Sequence, residues 1–433
     1  MVREYLHRKL FDQLKRWLDR REILAIKGPR QSGKTTLLQM LKDHLVLEKK
    51  VEKEQVLYLT LEDIDVLEAL SRDPVALIKS YIGGKQDRRF YFLIDEFHYL
   101  HEGGQKLKLL YDLFENIKFI ITGSSSLELT GSTSRYLVGR VFSFYLFPFC
   151  LEEFLETKER NLYHVYRENS EILREFVIEG KDFELKEEIF EKDFLRRFEE
   201  YVRFGGYPEV IKTDDLETKQ IVLKNIYDTY ITRDIVELLR LGDVSTFRTI
   251  VTLLANSMGG LIHYGSLASD GKSYFRQIKH YLSILEETYV IRILKPYSEN
   301  LSTELKKNPK VYFVDSGLRN YIVRNFNETG LRPDGGKLVE NVVLSELSQK
   351  GDDEIRHWRT TAKAEIDFIL RTGDQVLPIE VKYSKLKSPE MSRGFRSFIS
   401  QYKPQRALIL TKGFWGKAEI QGTKIGFVPV WYI

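Results

Sequence analysis

Apolar side chains recur along this chain in several distinct rhythms, and each rhythm predicts a different kind of element. Leu6, Leu10, Leu14 and Leu18 fall on every fourth residue, the spacing of an amphipathic helix packed on a larger body. The pattern then changes to short unbroken apolar runs at Ile23–Lys27, Val56–Thr60, Phe90–Ile94 and Lys118–Ile121. Runs of this length, with helical stretches between them, predict a parallel α/β sheet over the first 145 or so residues. From about Leu151 to Leu239 the sequence is charged but keeps helical spacing, as at Phe190, Phe194, Phe198 and Tyr201, and predicts a helical lid.

Between about Thr246 and Val314 the rhythm predicts a small module. Tyr274, Ile278, Leu282 and Leu285 make one apolar helical stripe, while Lys272, Arg276 and Lys279 occupy another face at i, i+4, i+7 spacing. Val290–Leu294 and Val311–Val314 read as two strands around a loop carrying Lys306, Lys307 and Lys310. A helix, a basic helix and a hairpin with a basic tip describe a winged helix. Two readings stand: DNA contact through these basic residues, or a module that only packs between domains. Gly336–Leu347 is then a helix with Glu340 near its start, followed by strands at Ile355–Arg359, Ile366–Leu370 and Val376–Val381.

A length of 433 residues exceeds one ordinary core, and the changes of rhythm divide it into 1–150, 151–240, 241–325 and 326–433. With 42% hydrophobic and 30% charged residues the chain is globular, which excludes a disordered protein. The net charge of +4 permits a nucleic-acid partner without demanding one, so any binding face must come from local clustering. The single Cys150 excludes an intrachain disulfide and a cysteine-rich zinc site. No apolar run approaches the roughly 18 residues of a membrane helix, and the first residues lack the apolar core of a signal peptide. A cytoplasmic location is the expectation.

Gly28-Pro29-Arg30-Gln31-Ser32-Gly33-Lys34-Thr35 is a complete G-x-x-x-x-G-K-[ST] phosphate loop, entered by a strand and left by a helix. Glycines let backbone N–H groups curl around the β-phosphate, Lys34 reaches the β/γ oxygens, and the Thr35 hydroxyl takes Mg²⁺. Contact with ATP is expected for all eight residues and for Thr36. The apolar strand Phe90–Ile94 ends in Asp95-Glu96, a Walker B pair: Asp95 holds Mg²⁺ through water, and Glu96 orients or deprotonates the attacking water. Thr122 or Ser124, at the tip of a neighbouring strand, is placed to sense the γ-phosphate. Arg140 is either an arginine finger for a neighbouring subunit or a surface arginine pairing with an acid.

Near the end, Asp367 opens one strand and Glu380 and Lys382 share one face of the next. Paired strands would bring the two carboxylates to one Mg²⁺ or Mn²⁺, with Lys382 stabilising the attacking water or the developing charge.

These stretches resemble a large archaeal and bacterial family of AAA-type ATPases related to the STAND group of NTPases. The matching segments are Gly28 to Thr35, Asp95-Glu96, Ile121 to Ser125, Gly139-Arg140, Gly205 to Pro208 and Arg233-Asp234-Ile235. The C-terminal part, with Gly336 to Asn341, Glu365 to Phe368 and Ile379 to Lys382, resembles the PD-(D/E)xK nuclease fold that commonly ends such chains. The resemblance implies a restriction-endonuclease-like α/β domain with Glu340 joining the site. It also implies a role for Pro208 near the nucleotide, DNA as partner, and a homo-oligomer, the family form being a hexameric ring. Three functions follow: an ATP-driven DNA-processing protein, a STAND-type signalling switch whose C-terminal domain only binds DNA or supports assembly, or a structural ATP-binding scaffold.

Overall fold

The computed structural model describes residues 5–85, 87–123, 137–184, 188–234, 243–298, 307–351, 354–372 and 375–433. The chain divides into two compact units, Met1–Pro148 with Glu287–Tyr289, and Phe149–Glu286 with Val290–Ile433. Ser124, Lys306 and Ile235 lie outside the described residues.

The first unit is built on β1 (Ile23–Lys27), β2 (Val56–Thr60), β3 (Phe90–Asp95), β4 (Ile117–Gly123) and β5 (Val141–Tyr145). They form one parallel sheet in the order β2-β3-β4-β1-β5. The three inner strands are buried at every position, which is why their sequences are unbroken apolar runs rather than alternating ones. One face packs Ile23, Phe92, Ile94, Phe119 and Ile121. The other packs Leu24, Ile26, Leu93 and Ile120 against Leu10, Leu14, Leu18, Leu37 and Leu41. The first helix is shorter than its leucine spacing predicts, running only over Lys9–Lys15. Arg8 before it is extended, and Leu18 is buried beyond the helix end.

In the second unit the helix Glu191–Phe204 buries Phe194, Phe198 and Tyr201 on one side, as the spacing predicts, and leaves Phe190 exposed at its start. Phe194 stacks on Trp431 with ring centroids 5.7 Å apart and planes 2° from parallel. The end of the chain therefore forms part of the core of this helical region. Gly205-Gly206 makes the next junction. The Gly206 N–H donates to Asp315 Oδ2 at 2.8 Å, its carbonyl accepts from Phe149 N at 2.7 Å, and Asp315 Oδ1 caps the helix Ser316–Ile322 through Leu318 N. A Cβ on Gly206 would stand 2.2 Å from the Phe149 carbonyl, so close approach, not only the turn, requires glycine. Burial pushes the Asp315 carboxyl up to about 6.

The small module has helices Val244–Asn256, Tyr264–Asp270 and Phe275–Glu287, and the antiparallel pair β6 (Ile291–Leu294) and β7 (Lys310–Phe313). Three expectations need correction. Lys272 is not on the basic helix; it sits at φ 50° in the turn before it, so only Arg276 and Lys279 share that helix. Tyr274 also precedes the helix and is exposed, whereas Ile278, Leu282 and Leu285 are buried as predicted. Lys310 is not at a basic tip but inside β7, buried and ion-paired with Glu365, while Lys307 donates to the Arg359 carbonyl at 3.1 Å. An apolar strand can carry one lysine inward when a carboxylate on a neighbouring element neutralises it.

The C-terminal region is a mixed sheet in the order β12-β13-β11-β10-β9-β8. Its strands are β8 (Glu354–Arg359), β9 (Glu365–Thr372), β10 (Gln375–Lys382), β11 (Arg406–Thr411), β12 (Gly416–Ile420) and β13 (Thr423–Pro429). The helices Gly335–Lys350 and Arg393–Tyr402 pack on it. Among the described residues no helix is long and apolar enough to cross a membrane.

Candidate nucleotide site and carboxylate cluster

Because the first sheet is parallel, the loops after β1, β3 and β4 leave the same edge. β4 lies between β1 and β3, so Thr122 near its end stands between the phosphate loop and Asp95-Glu96. The loop is shaped by backbone that side chains resist: Gly28 at φ 152°, Gln31 at φ 61° and Gly33 at φ 97°. A Cβ on Gly28 would lie 2.1 Å from the Leu146 carbonyl oxygen. Gly33 precedes the helix Lys34–Asp43, whose first turn presents Thr35 and Thr36 to solvent. The Lys34 ammonium donates to the Gly28 carbonyl at 3.1 Å and to the Pro29 carbonyl at 2.8 Å. Burial pushes its pKa down to about 8, and the carboxylates of Glu96 and Asp95 act in the opposite sense.

Asp95 is buried and fully engaged. The Thr122 hydroxyl donates to its Oδ1, and the Tyr58 hydroxyl donates to Oδ2 at 2.8 Å. Glu96 takes the left-handed conformation, φ 52° and ψ 42°, and its N–H reaches Thr122 Oγ1 at 3.1 Å and Asp95 Oδ1 at 3.2 Å. Its Oε2 lies 3.1 Å from His98 Nδ1. Burial raises the Glu96 pKa, but His98, Lys34 and Arg30 together outweigh it and hold the carboxyl below its ordinary range. Thr35 supplies a hydroxyl and Asp95 a carboxylate, an all-oxygen set that fits Mg²⁺.

Sequence reasoning missed Arg8, which is buried; its Nη1 donates to the Ser32 carbonyl at 2.9 Å and its Nη2 to the Phe147 carbonyl at 2.6 Å. No local pattern marks a lone arginine twenty residues ahead of a loop. Tyr58 and His98 were also missed; Tyr58 sits on a recognised strand, opposite Leu93 and two register places from Asp95. Arg140 precedes β5, and its carbonyl accepts from Ile23 N at the start of β1. That is the end of the sheet opposite Gly28, about 16 Å away along five strand residues. Its guanidinium pairs with Asp112 at 3.0 Å. Pro208 lies in the second unit, where it starts the helix Pro208–Lys212.

In the C-terminal sheet β9 and β10 are antiparallel neighbours, with Phe368 opposite Ile379, so Asp367 and Glu380 occupy the next register place. Asp367 Oδ2 accepts from Val381 N at 2.9 Å. Glu380 accepts from Ser392 Oγ at 3.0 Å, and Lys382 pairs with Glu390 at 3.0 Å, so both meet the segment 390–392. Glu340 does not stand as a free ligand: Lys337 Nζ is 2.9 Å from both of its oxygens. Burial raises the pKa of Glu340, Asp367 and Glu380, and Asp367 raises its two neighbours further; Glu380 reaches about 7. Among the described residues no group of three or more His, Cys, Asp or Glu side chains is arranged to hold a metal ion. The donors left to a cation are the Asp367 and Glu380 carboxylates, which suits a Mg²⁺ that keeps most of its waters.

Comparison with known proteins agrees with the first unit. Residues 20–155 match the model of an AAA domain, which makes this region an AAA-type P-loop ATPase domain. Residues 195–329 and 335–430 match two domains of unknown function, DUF8612 and DUF4143. An uncharacterized protein of Haemophilus influenzae is 26% identical over 97% of this chain and 96% of its own length. One of Methanocaldococcus jannaschii is 25% identical over 84% of this chain and 75% of its own length. The Orc1 protein of Aeropyrum pernix, solved in complex with DNA, aligns over 74% of this chain and 93% of its own. Its identity is 13% and its TM-score 0.32, a likeness too weak to carry an argument.

Proposed function

We propose that this chain is an ATP-hydrolysing, DNA-processing protein with a nuclease-fold domain at its C-terminal end. The observation that carries the ATP-hydrolysing part of the reading is Glu96, an ionised carboxylate beside the Lys34 site with its backbone tied to Thr122 and Asp95. A carboxylate held below its ordinary pKa is a weak proton acceptor, so Glu96 orients the attacking water by hydrogen bonding rather than fully deprotonating it. Lys34 and the loop N–H groups neutralise charge on the phosphates, and bound Mg²⁺ would add to that at Thr35 and, through water, Asp95. Thr122 links the γ-phosphate position to Asp95. Pro208 near the nucleotide, Arg140 as a finger in an oligomer, and a hexameric ring remain parts of this proposal.

Arg276 and Lys279, exposed on one helix, support DNA as the partner. Asp367, Glu380 and Lys382 support metal-dependent phosphodiester chemistry, in which Lys382, released from Glu390, meets the developing charge. The test is Mn²⁺-dependent cleavage of plasmid and single-stranded DNA by wild type, Asp367→Ala and Lys382→Ala. Cleavage lost in both variants with ATPase activity intact upholds the reading. Binding without cleavage by wild type reduces the C-terminal domain to a DNA-binding or assembly role, as the switch alternative holds.

A further inference from the structure

The basic helix is preceded by a feature its charge does not explain. Tyr274 is 64% exposed and Phe275 53% exposed, two adjacent aromatic rings at its start. Lys279 Nζ lies 4.7 Å from the centre of the Phe275 ring, and Tyr264 packs against that ring at 5.5 Å and 56°. Lys279 thus lies over one face of Phe275 and Tyr264 tilts against it, while about half of the side chain stays open to solvent. Between Asp270 and Glu286, which acts on Tyr264, the sequence holds Lys272, Arg276, Lys279 and His280 and no acidic residue. Lys272, Arg276 and Lys279 are all exposed.

We infer that Tyr274 and Phe275, flanked by Lys272, Arg276 and Lys279, form a stacking platform for unpaired bases, so that the DNA this protein engages is at least partly single-stranded. Phenylalanine offers a base edge no hydrogen bond, so reading of paired bases in a groove leaves the exposed Phe275 ring without a role. Every base, in contrast, has a π-face, and cations beside exposed rings follow the phosphates of a single strand. A protein partner of ordinary apolar character would not require Lys272, Arg276 and Lys279 exposed beside the rings. The inference rests on the DNA reading above and adds the strand state.

The test is fluorescence anisotropy with the full chain, a labelled 20-nucleotide single strand and the matching duplex, over a salt series. Replacing both rings (Y274A/F275A) is expected to weaken single-strand binding at least about tenfold without changing its salt slope. Duplex binding should change by less than about threefold. The pair R276E/K279E is expected to weaken both and flatten the slope. Because both rings are exposed, the melting temperature of Y274A/F275A should match wild type. The variant Y274L/F275L, which keeps apolar bulk but no ring face, should bind single strands as poorly as the alanine pair. Wild-type affinity in the leucine pair, or equal losses on single strand and duplex, would overturn stacking on unpaired bases. No loss in the alanine pair removes the rings from the DNA interface and overturns the platform. Wild type binding neither DNA defeats the DNA reading itself, a different result from all of these.

Discussion

Arg8→Met tests whether the phosphate loop is held in shape from outside its own sequence. Methionine keeps the apolar stem but removes both donors, leaving the Ser32 and Phe147 carbonyls without the guanidinium. A hydrogen bond from a charged donor contributes about 1.5–3 kcal/mol. The Phe147 contact is only part-buried, and desolvation of the guanidinium offsets some of the gain, so a net loss of about 2–3 kcal/mol is expected. For a unit of this size that lowers the melting temperature by about 5–10 °C.

The functional effect follows from peptide geometry. No cis peptide bond occurs among the described residues, so the Ser32 carbonyl and the Gly33 N–H point in opposite directions. Arg8 fixes the carbonyl and thereby aims the N–H. Without that anchor the loop samples other orientations, and nucleotide affinity should fall about tenfold, equivalent to about 1.4 kcal/mol. Differential scanning fluorimetry and titration with a fluorescent ADP analogue measure the two effects separately. Unchanged melting and unchanged affinity would refute the argument. Lower melting with full affinity would leave Arg8 a structural tie with no part in shaping the loop.

Glu96→Gln should bind ATP at least as tightly as wild type but hydrolyse it at least about a hundredfold more slowly, measured by phosphate release. Mn²⁺ should raise the melting temperature of wild type at pH 8 but not of Asp367→Asn. Since Glu380 holds its proton up to about 7, that effect should shrink as pH falls below 7; a shift equal at pH 6 and pH 8 would contradict the carboxylate assignment. Burial pushes His357 down to about 3, so the unfolded chain binds a proton there that the folded chain does not. Its stability contribution is complete above about pH 6.5 and is lost as pH falls towards 3, by about 1.4 kcal/mol per unit. His357→Leu should remove that part of the slope in urea titrations, and an unchanged slope would contradict the burial argument.

Elements whose signal is local were legible in the sequence. β1, β3 and β4 announce themselves because strands buried on both faces need unbroken apolar runs, and the phosphate loop needs its glycines in fixed places. The strands around Asp367 and Glu380 were legible from apolar residues set between polar ones, as in Ile366-Asp367-Phe368 and Ile379-Glu380-Val381. Lys310 was not: whether a lysine in a strand faces water depends on Glu365, distant in sequence, and not on its neighbours. Lys272 was misplaced because a single left-handed residue, which periodicity does not register, starts the helix later. Glu340 reads as an unoccupied ligand in the sequence, whereas Lys337, one turn earlier, neutralises it. Arg8 and the stacking of Trp431 on Phe194 are tertiary contacts, and only the folded chain displays them.

The central claim is that ATP turnover by Lys34, Asp95 and Glu96 is coupled to DNA. The steady-state ATPase rate of the full chain, measured with single-stranded, duplex and branched DNA for wild type and Glu96→Gln, tests it most directly. The account predicts a wild-type rate that rises when DNA bearing unpaired bases is added, and a variant rate that stays near zero with every DNA. A wild-type rate that ignores all three DNAs would contradict it.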